Sequence, residues 1–414
     1  MKKGLLLSVV ASTVIFAGGD IAPVEPAQPA SADFWGLIGI SYEMNDNDVN
    51  FDLSDEENNG FSTTVVLGVE KELGNGFGFG VEVAGWSDFG FDIADNPRVD
   101  TTLGNGMDQT DAEVSQAYLT YGFGNTAIKA GRQALPKAVS PWAWTDTSAG
   151  VKDITYDAIV VVNTDLTDTT LVGAWVANAV NGNEPTHLGD NKNGIFMATV
   201  VNKSLENTTI TASAYYFADA NYDIPGIGWA LGEDNGEDLW SIWASVESSA
   251  DGFGWGVQTA YVDGDFAGLD ASLAIEAKVT TTISDINLGL YAGYLNDGDY
   301  SFKTAGSGVG TSALWTNSLG GSMGADAVGY DQTHIRATAS YHAFGGRVWG
   351  ELAYFDYDGD LTGQHDNTFG GRIGYDFTVA GIDVSIQYRA WSEDYVNAPT
   401  LDKQRVRIEA FYKF

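Results

Sequence analysis

The sequence predicts an all-β fold, a transmembrane antiparallel β-barrel of about 18 strands with 16 as the alternative count. Three observations carry that expectation. The final ten residues alternate with period 2: Val406, Ile408, Ala410, Tyr412 and Phe414 are apolar, while Arg405, Arg407, Glu409 and Lys413 between them are charged. A strand with hydrocarbon on one side and water on the other has this pattern. Strand-like segments also recur along the chain, and the gaps between them alternate short and long. Lastly, 51 glycines and 12% aromatics stand beside only 9 prolines, with a mean hydropathy near neutral at −0.10. Alternating strands hide a lipid-compatible face in such an average.

The chain is expected to open with an export signal. Lys2 and Lys3 form a basic start, Gly4 to Phe16 is apolar, and Ala17-Gly18 supplies small residues for cleavage. Residues 1–17 therefore read as a signal peptide, too short to span a membrane as a helix. Residues 18–32 hold Pro23, Pro26 and Pro29 and read as an extended periplasmic lead-in, which leaves residues 33–414 for the barrel. The absence of cysteine excludes a lipoprotein anchor, a disulfide scaffold and thiol chemistry. No later apolar run is long enough for a spanning helix.

The strands are expected, in order, at Asp33–Met44, Gly60–Lys71, Phe77–Ser87, Glu113–Phe123, Thr126–Arg132, Asp153–Asn163, Thr169–Val180, Gly194–Lys203 and Thr208–Ala218. They continue at Asp238–Glu247, Phe253–Asp263, Ala271–Thr282, Ile286–Asn296, Asp331–Ala343, Gly346–Tyr357, Asn367–Thr378, Gly381–Glu393 and Lys403–Phe414. Short turns fall at Glu72–Gly76, Gly124-Asn125, Thr164–Asp168, Ser204–Asn207, Ser248–Gly252, Ile283–Asp285, Phe344-Gly345 and Val379-Ala380. Long loops separate the resulting hairpins, among them the stretch between Glu393 and Lys403. A sandwich has no reason to alternate this way. An even strand count with tight turns on one rim places both ends of the barrel in the periplasm.

Charge follows the same division. The net charge of −36 excludes nucleic acid as a partner. The long loops hold more than half of the acidic residues but only a quarter of the basic ones, so the outer mouth should be strongly negative. Trp35, Trp86, Trp175, Trp240 and Trp391 sit near strand ends, as interfacial girdles require.

The start Gly18-Gly19-Asp20-Ile21-Ala22-Pro23-Val24-Glu25-Pro26, the strand rhythm and the ending Tyr412-Lys413-Phe414 resemble the Opr-family and Campylobacter-type (epsilonproteobacterial) major outer-membrane porins. That resemblance implies an 18-stranded homotrimer in the bacterial outer membrane, embedded among lipopolysaccharide and outer-membrane lipids. It further implies a third loop folded into the lumen and a terminal strand read by the barrel assembly machinery. The activity implied is passive diffusion of ions and small hydrophilic solutes through a water-filled channel; the acidic outer mouth adds the expectation of modest cation selectivity.

The third loop, Gln133–Lys152, suits an inward position on its own composition, because Pro136, Pro141, Trp142 and Trp144 supply stiffness and apolar anchors. Lys137 and Asp146 are its candidates to face the lumen. The arginines are the sharpest signal. Of eight, Arg336, Arg347, Arg372, Arg389, Arg405 and Arg407 fall in the last five strands, each opposite the apolar face. Ile335, Ala337 and Tyr341 face lipid, so Arg336 faces the lumen; Ile373 and Tyr375 place Arg372 inside, and Ile386 and Tyr388 do the same for Arg389. Arg336, Arg372, Arg389, Arg405 and Arg407 lie at one height and should form a basic arc on the pore wall, with Glu351, Asp376, Asp383 and Glu409 as potential counter-charges.

Other chemistry finds little support. His187, His334, His342 and His365 form no metal motif. The run Asp356-Tyr357-Asp358-Gly359-Asp360 lacks the terminal glutamate of an EF-hand loop, so no cofactor is expected beyond loosely bound Ca2+ at the acidic loops. The rivals to a porin are a surface adhesin built on a barrel and a barrel enzyme; an enzyme would need a nucleophile and histidine paired at the outer rim, and no such pair stands out, so no catalytic residue is expected.

Overall fold

A computed structural model describes residues 32–46, 59–87, 111–145, 154–181, 184–188, 193–220, 237–265, 268–302, 312–316, 331–358 and 365–414. The signal segment, all of the lead-in but residue 32, Asp146 and much of the long-loop sequence lie outside the described residues. The strands are β1 (Asp33–Asp46), β2 (Asn59–Gly74), β3 (Phe77–Ser87), β4 (Asp111–Phe123), β5 (Thr126–Gln133), β6 (Thr155–Asn163), β7 (Thr169–Asn181), β8 (Glu184–His187), β9 (Ile195–Asn202) and β10 (Thr208–Ala220). After them come β11 (Glu237–Ala250), β12 (Phe253–Gly264), β13 (Ser272–Ile283), β14 (Ile286–Leu295), β15 (Gln332–Ala343), β16 (Gly346–Tyr357), β17 (His365–Val379), β18 (Ile382–Tyr395) and β19 (Ala398–Lys413).

Every pairing is antiparallel, β9 follows β7 in the ring, and β19 pairs back onto β1, so eighteen strands close into a barrel. Among the described residues the short β8 pairs only with the end of β7 and stands outside the ring. All eighteen predicted segments fall on the ring strands. Closure leaves no edge, which is the condition for exposing a sheet to hydrocarbon. Outward positions such as Ile38, Leu67, Val83, Ile242, Ile275 and Ile373 stay exposed and apolar, forming the belt that lipid requires.

The turns set the hairpins. Asp251-Gly252, Ser284-Asp285, Phe344-Gly345 and Ala380-Gly381 all carry positive φ, the handedness that matches the right-handed twist of flanking strands. Two expectations are corrected. The stretch between Glu393 and Lys403 is not a long loop: β18 and β19 continue to Tyr395 and Ala398, and Asn397 turns the chain at φ 53°, a left-handed conformation asparagine tolerates. Nor do all five tryptophans form girdles. Trp35 and Trp86 pack inward against Leu37, Val66 and Ala84, and Trp391 is buried on the inner face with Arg389 and Glu393.

At the seam, Phe414 N donates to Gly36 O at 3.0 Å and Gly36 N to Phe414 O at 2.8 Å. The Phe414 ring lies over Gly36 so closely that a Cβ there would sit 2.4 Å from a ring carbon. Tyr412 stacks beside it with ring centroids 6.1 Å apart.

The interior is not uniform. The inner faces of β6 to β14 are largely apolar: Tyr156, Val172, Val176, Ile195, Phe217, Leu239, Ala260 and Ala274 are all buried in one cluster. The inner faces of β15 to β19 and β1 carry most of the charge. One half of the tube therefore has a packed core, and the other half is lined with charge.

Candidate functional site

The packed half is filled by two inward segments. The third loop enters first: Leu135 N donates to Thr145 Oγ1 at 3.1 Å and Thr145 N to Leu135 O at 2.8 Å, which closes its base. Its tip residues Trp142 and Ala143 are buried, with Trp142 5.8 Å from the ring of Phe302. Phe302 belongs to the second segment, the connection after β14, whose Tyr300, Phe302, Ala313 and Leu314 join the same core.

Lys137 ties the two together. Its Nζ donates to the carbonyls of Ser312 at 2.7 Å and Leu314 at 2.6 Å and lies 4.9 Å from the Trp144 ring centre. It stands at the junction of the inward segments, while its predicted companion Asp146 lies outside the described residues. Glu276 anchors the far end of the strap at residues 312–316. This carboxylate, 1% exposed, accepts from Trp315 N at 2.8 Å, Thr316 N at 3.2 Å, His334 Nε2 at 2.8 Å and the Gln258 amide. A buried carboxylate needs such a full set of donors.

The charged wall faces this plug. Strand register places Glu351, Arg372, Arg389 and Arg405 in one continuous row across β16, β17, β18 and β19. In the next row, Gln387 faces Arg407, and Arg407 faces Glu43 across the seam. Arg372 pairs with Glu351, which also stands 3.6 Å from Arg336. Glu43 takes Arg405 at 3.2 Å and Arg407 at 2.6 Å. Arg336 also lies 4.1 Å from the Tyr291 ring centre and reaches the Trp315 carbonyl at 3.3 Å, so the wall touches the strap. Arg347 stands apart with Asp376 at 2.6 Å, and Asp383 lies 3.8 Å from Lys413.

The five arginines of the arc are thus brought together. On the turn side, a cavity of about 580 Å³ is lined by residues including Tyr291, Trp349, Glu351, Arg372, Arg407 and Glu409. Two components were missed in the sequence. Glu43 lies on the first strand and meets the arc only through closure; its inward phase beside Ser41 was the available sign. The strap was missed as well, although runs such as Ala158–Val162, apolar on both faces, signal that something covers the inner wall.

No protein-family model matches the chain, and no curated relative matches it. Solved structures do. Acinetobacter baumannii OccAB4 aligns at 12% identity and a TM-score of 0.66, covering 94% of this chain and 100% of that one. Pseudomonas aeruginosa OpdK, solved with vanillate, aligns at 12% identity and a TM-score of 0.70 over 92% of this chain and 99% of that one. Pseudomonas aeruginosa OccK8 (OprE) aligns at 13% identity and 0.66 over 92% and 98%. The fold is that of outer-membrane channels. At such identities the likeness shows the fold alone.

Proposed function

We propose that this chain is an outer-membrane channel through which ions and small hydrophilic solutes diffuse passively, with a modest preference for cations. The observation that carries this reading is the division of the closed barrel: an apolar belt outside, a plugged half-lumen, and a charged half that lines a water-accessible cavity. A hydrophobic exterior places the barrel in a membrane, and a charged inner wall has no use without water beside it. The fold shared with OccAB4 and OpdK supports a channel over an enzyme, and the presence of vanillate in OpdK supports small organic molecules among the solutes.

Cation preference follows from the acidic long loops, which concentrate cations at the mouth, while Glu43 and Glu351 offset part of the arginine field. The Campylobacter-type assignment, the homotrimer, contact with lipopolysaccharide, delivery by the barrel assembly machinery and loose Ca2+ at the loops are parts of the same proposal, resting on the sequence features described above. Purified, folded protein inserted into a planar bilayer should give discrete, ohmic conductance steps. Their absence from protein shown to be folded would remove the channel reading and leave an adhesin as the better one.

A further inference from the structure

The outer face of the barrel is not apolar all the way round. Tyr118, Gln133, Tyr156 and Ala158 are buried on the inner side of β4, β5 and β6, so the alternate positions Arg132 and Asp157 point out of the barrel. These two are register partners and an ion pair, with Arg132 Nε 3.1 Å from Asp157 Oδ1 and both side chains partly exposed. Arg132 Nη1 also donates to the Val114 carbonyl at 3.2 Å, and Asn178 Nδ2 donates to Asp157 Oδ2 at 3.0 Å. The pair sets a low ceiling on the apolar wall. Counted from the turns, β5 offers lipid only Ile128 and Ala130 before Arg132, and β6 only Val161 and Ile159 before Asp157. The stretches Thr126 to Arg132 and Asn163 to Asp157 each make about 20 Å of strand, or about 15 Å of height at a tilt near 40°. On β12 the outward run passes from Phe253 through Trp255, Val257, Thr259 and Tyr261 before it reaches Asp263. That is about 33 Å of strand and about 25 Å of height, the full apolar band. At 8 residues each, β5 and β9 are also shorter than the roughly 9–11 that a tilted strand needs to cross alone.

Lipid of full thickness does not match such a wall. A span shorter than its bilayer either thins the bilayer or associates with another span. The surface favours association. Ala117, Ala130, Gly173 and Ala198 all point outward there, and a Cβ on Gly173 would meet nothing within 4 Å. Small residues leave the wall flat enough for two backbones to approach. Arg132 and Asp157 cancel, so the centre of the face holds no surplus charge for lipid phosphate or for a charged protein, and it matches a face as neutral as itself. We propose that the outer wall of β4, β5, β6, β7 and β9, centred on the Arg132–Asp157 pair, is the surface through which copies of this chain associate. Every copy carries the same short sector, and a closed ring turns all of them away from lipid at once. The inference names the contact face of the homotrimer proposed above and rests on the barrel's lying in a membrane.

The test is light scattering on the full chain, folded in mild detergent, native against two tryptophan variants. The native protein should have the mass of a closed set of copies. In Gly173→Trp the new ring stands out from β7 into open space on a single barrel, so the variant should keep its heat-resistant folded band yet fall to the mass of one chain. Ala339→Trp, exposed on β15 across the ring, should keep the native mass. The chain has no cysteine, so Gly173→Cys and Ala339→Cys each report on one site alone. In vesicles, a membrane-soluble maleimide should label Ala339→Cys and spare Gly173→Cys. Single chains in the native protein overturn the proposal, as does a folded Gly173→Trp at native mass. Equal labelling of the two cysteines overturns it even if Gly173→Trp does not fold, and would mean that the bilayer thins to meet the short wall. Conductance from native single chains would remove the interface and leave the channel; native oligomers without conductance would do the reverse.

Discussion

Glu43 is the carboxylate on which the seam side of the arginine arc depends. It is 3% exposed and neutralises Arg405 at 3.2 Å and Arg407 at 2.6 Å. Glu43→Gln preserves its size and removes its charge, so the wall gains one uncompensated positive charge. A permeating ion about 8 Å away at an effective dielectric of roughly 40 feels a change of about 1 kcal/mol. Screening at ~0.1 M salt, where the Debye length is about 10 Å, leaves about half of it. That lowers cation occupancy about twofold and raises anion occupancy as much, roughly a fivefold fall in the cation-to-anion permeability ratio. The assay is the zero-current potential across a fixed KCl gradient, native against variant, at low salt and again near 1 M, where a Debye length of about 3 Å should shrink the difference. Equal potentials at low salt, with the variant shown to be folded, would mean that Glu43 does not act on the permeation path and that the arc is a structural ladder.

In the native protein, cation preference should be clear at low salt and fade at molar salt as the acidic mouth is screened; anion preference at low salt, read from the same potential, would mean that the arginines outweigh the loops. Glu276→Gln replaces a charged acceptor of two strap amides, each such bond being worth about 1.5–3 kcal/mol, and should raise single-channel conductance and its noise; unchanged, quiet traces would show that the strap does not narrow the path. Gly36→Val forces a side chain into the ring of Phe414, and the heat-resistant folded band on unheated gels should weaken or disappear, whereas a normal band would discount the seam contact. Burial and the nearby Asp263 and Asp299 push the Tyr300 hydroxyl up to about 12. The unfolded chain therefore loses a proton near the ordinary value of 10 that the folded chain keeps. Stability should fall as pH rises across that window, and Tyr300→Phe should remove that contribution in alkaline unfolding.

The barrel was legible because each strand writes its own two faces. Arg336 between Ile335 and Ala337, or Arg389 between Tyr388 and Ala390, can be assigned to the inside from immediate neighbours alone. What escaped depends on distance or on ambivalent residues. Arg407 and Glu43 are 364 positions apart, and no local pattern pairs them. Trp35, Trp86 and Trp391 face inward because indole suits either a packed lumen or a lipid interface. The hairpin at Asn397 was hidden by Asp394, Pro399 and Asp402, which resemble loop composition yet leave the strands paired. The strap at residues 312–316 is held by Glu276, a glutamate whose donors, the Trp315 and Thr316 amides, only the folded barrel brings to it.

The ring of Phe414 resting on Gly36 does more than fill a gap. On the same outer face of β1, the positions two residues away are Phe34 and Ile38, both large. If the last strand docked two residues out of step, the aromatic would meet a side chain where it now meets a bare backbone. The first and last strands must find each other at the end of assembly, and most of their offsets look alike to hydrogen bonding. Two glycines distinguish them, Gly36 under Phe414 and Gly39 under Phe411, working like notches on a key that let the tube lock at one setting.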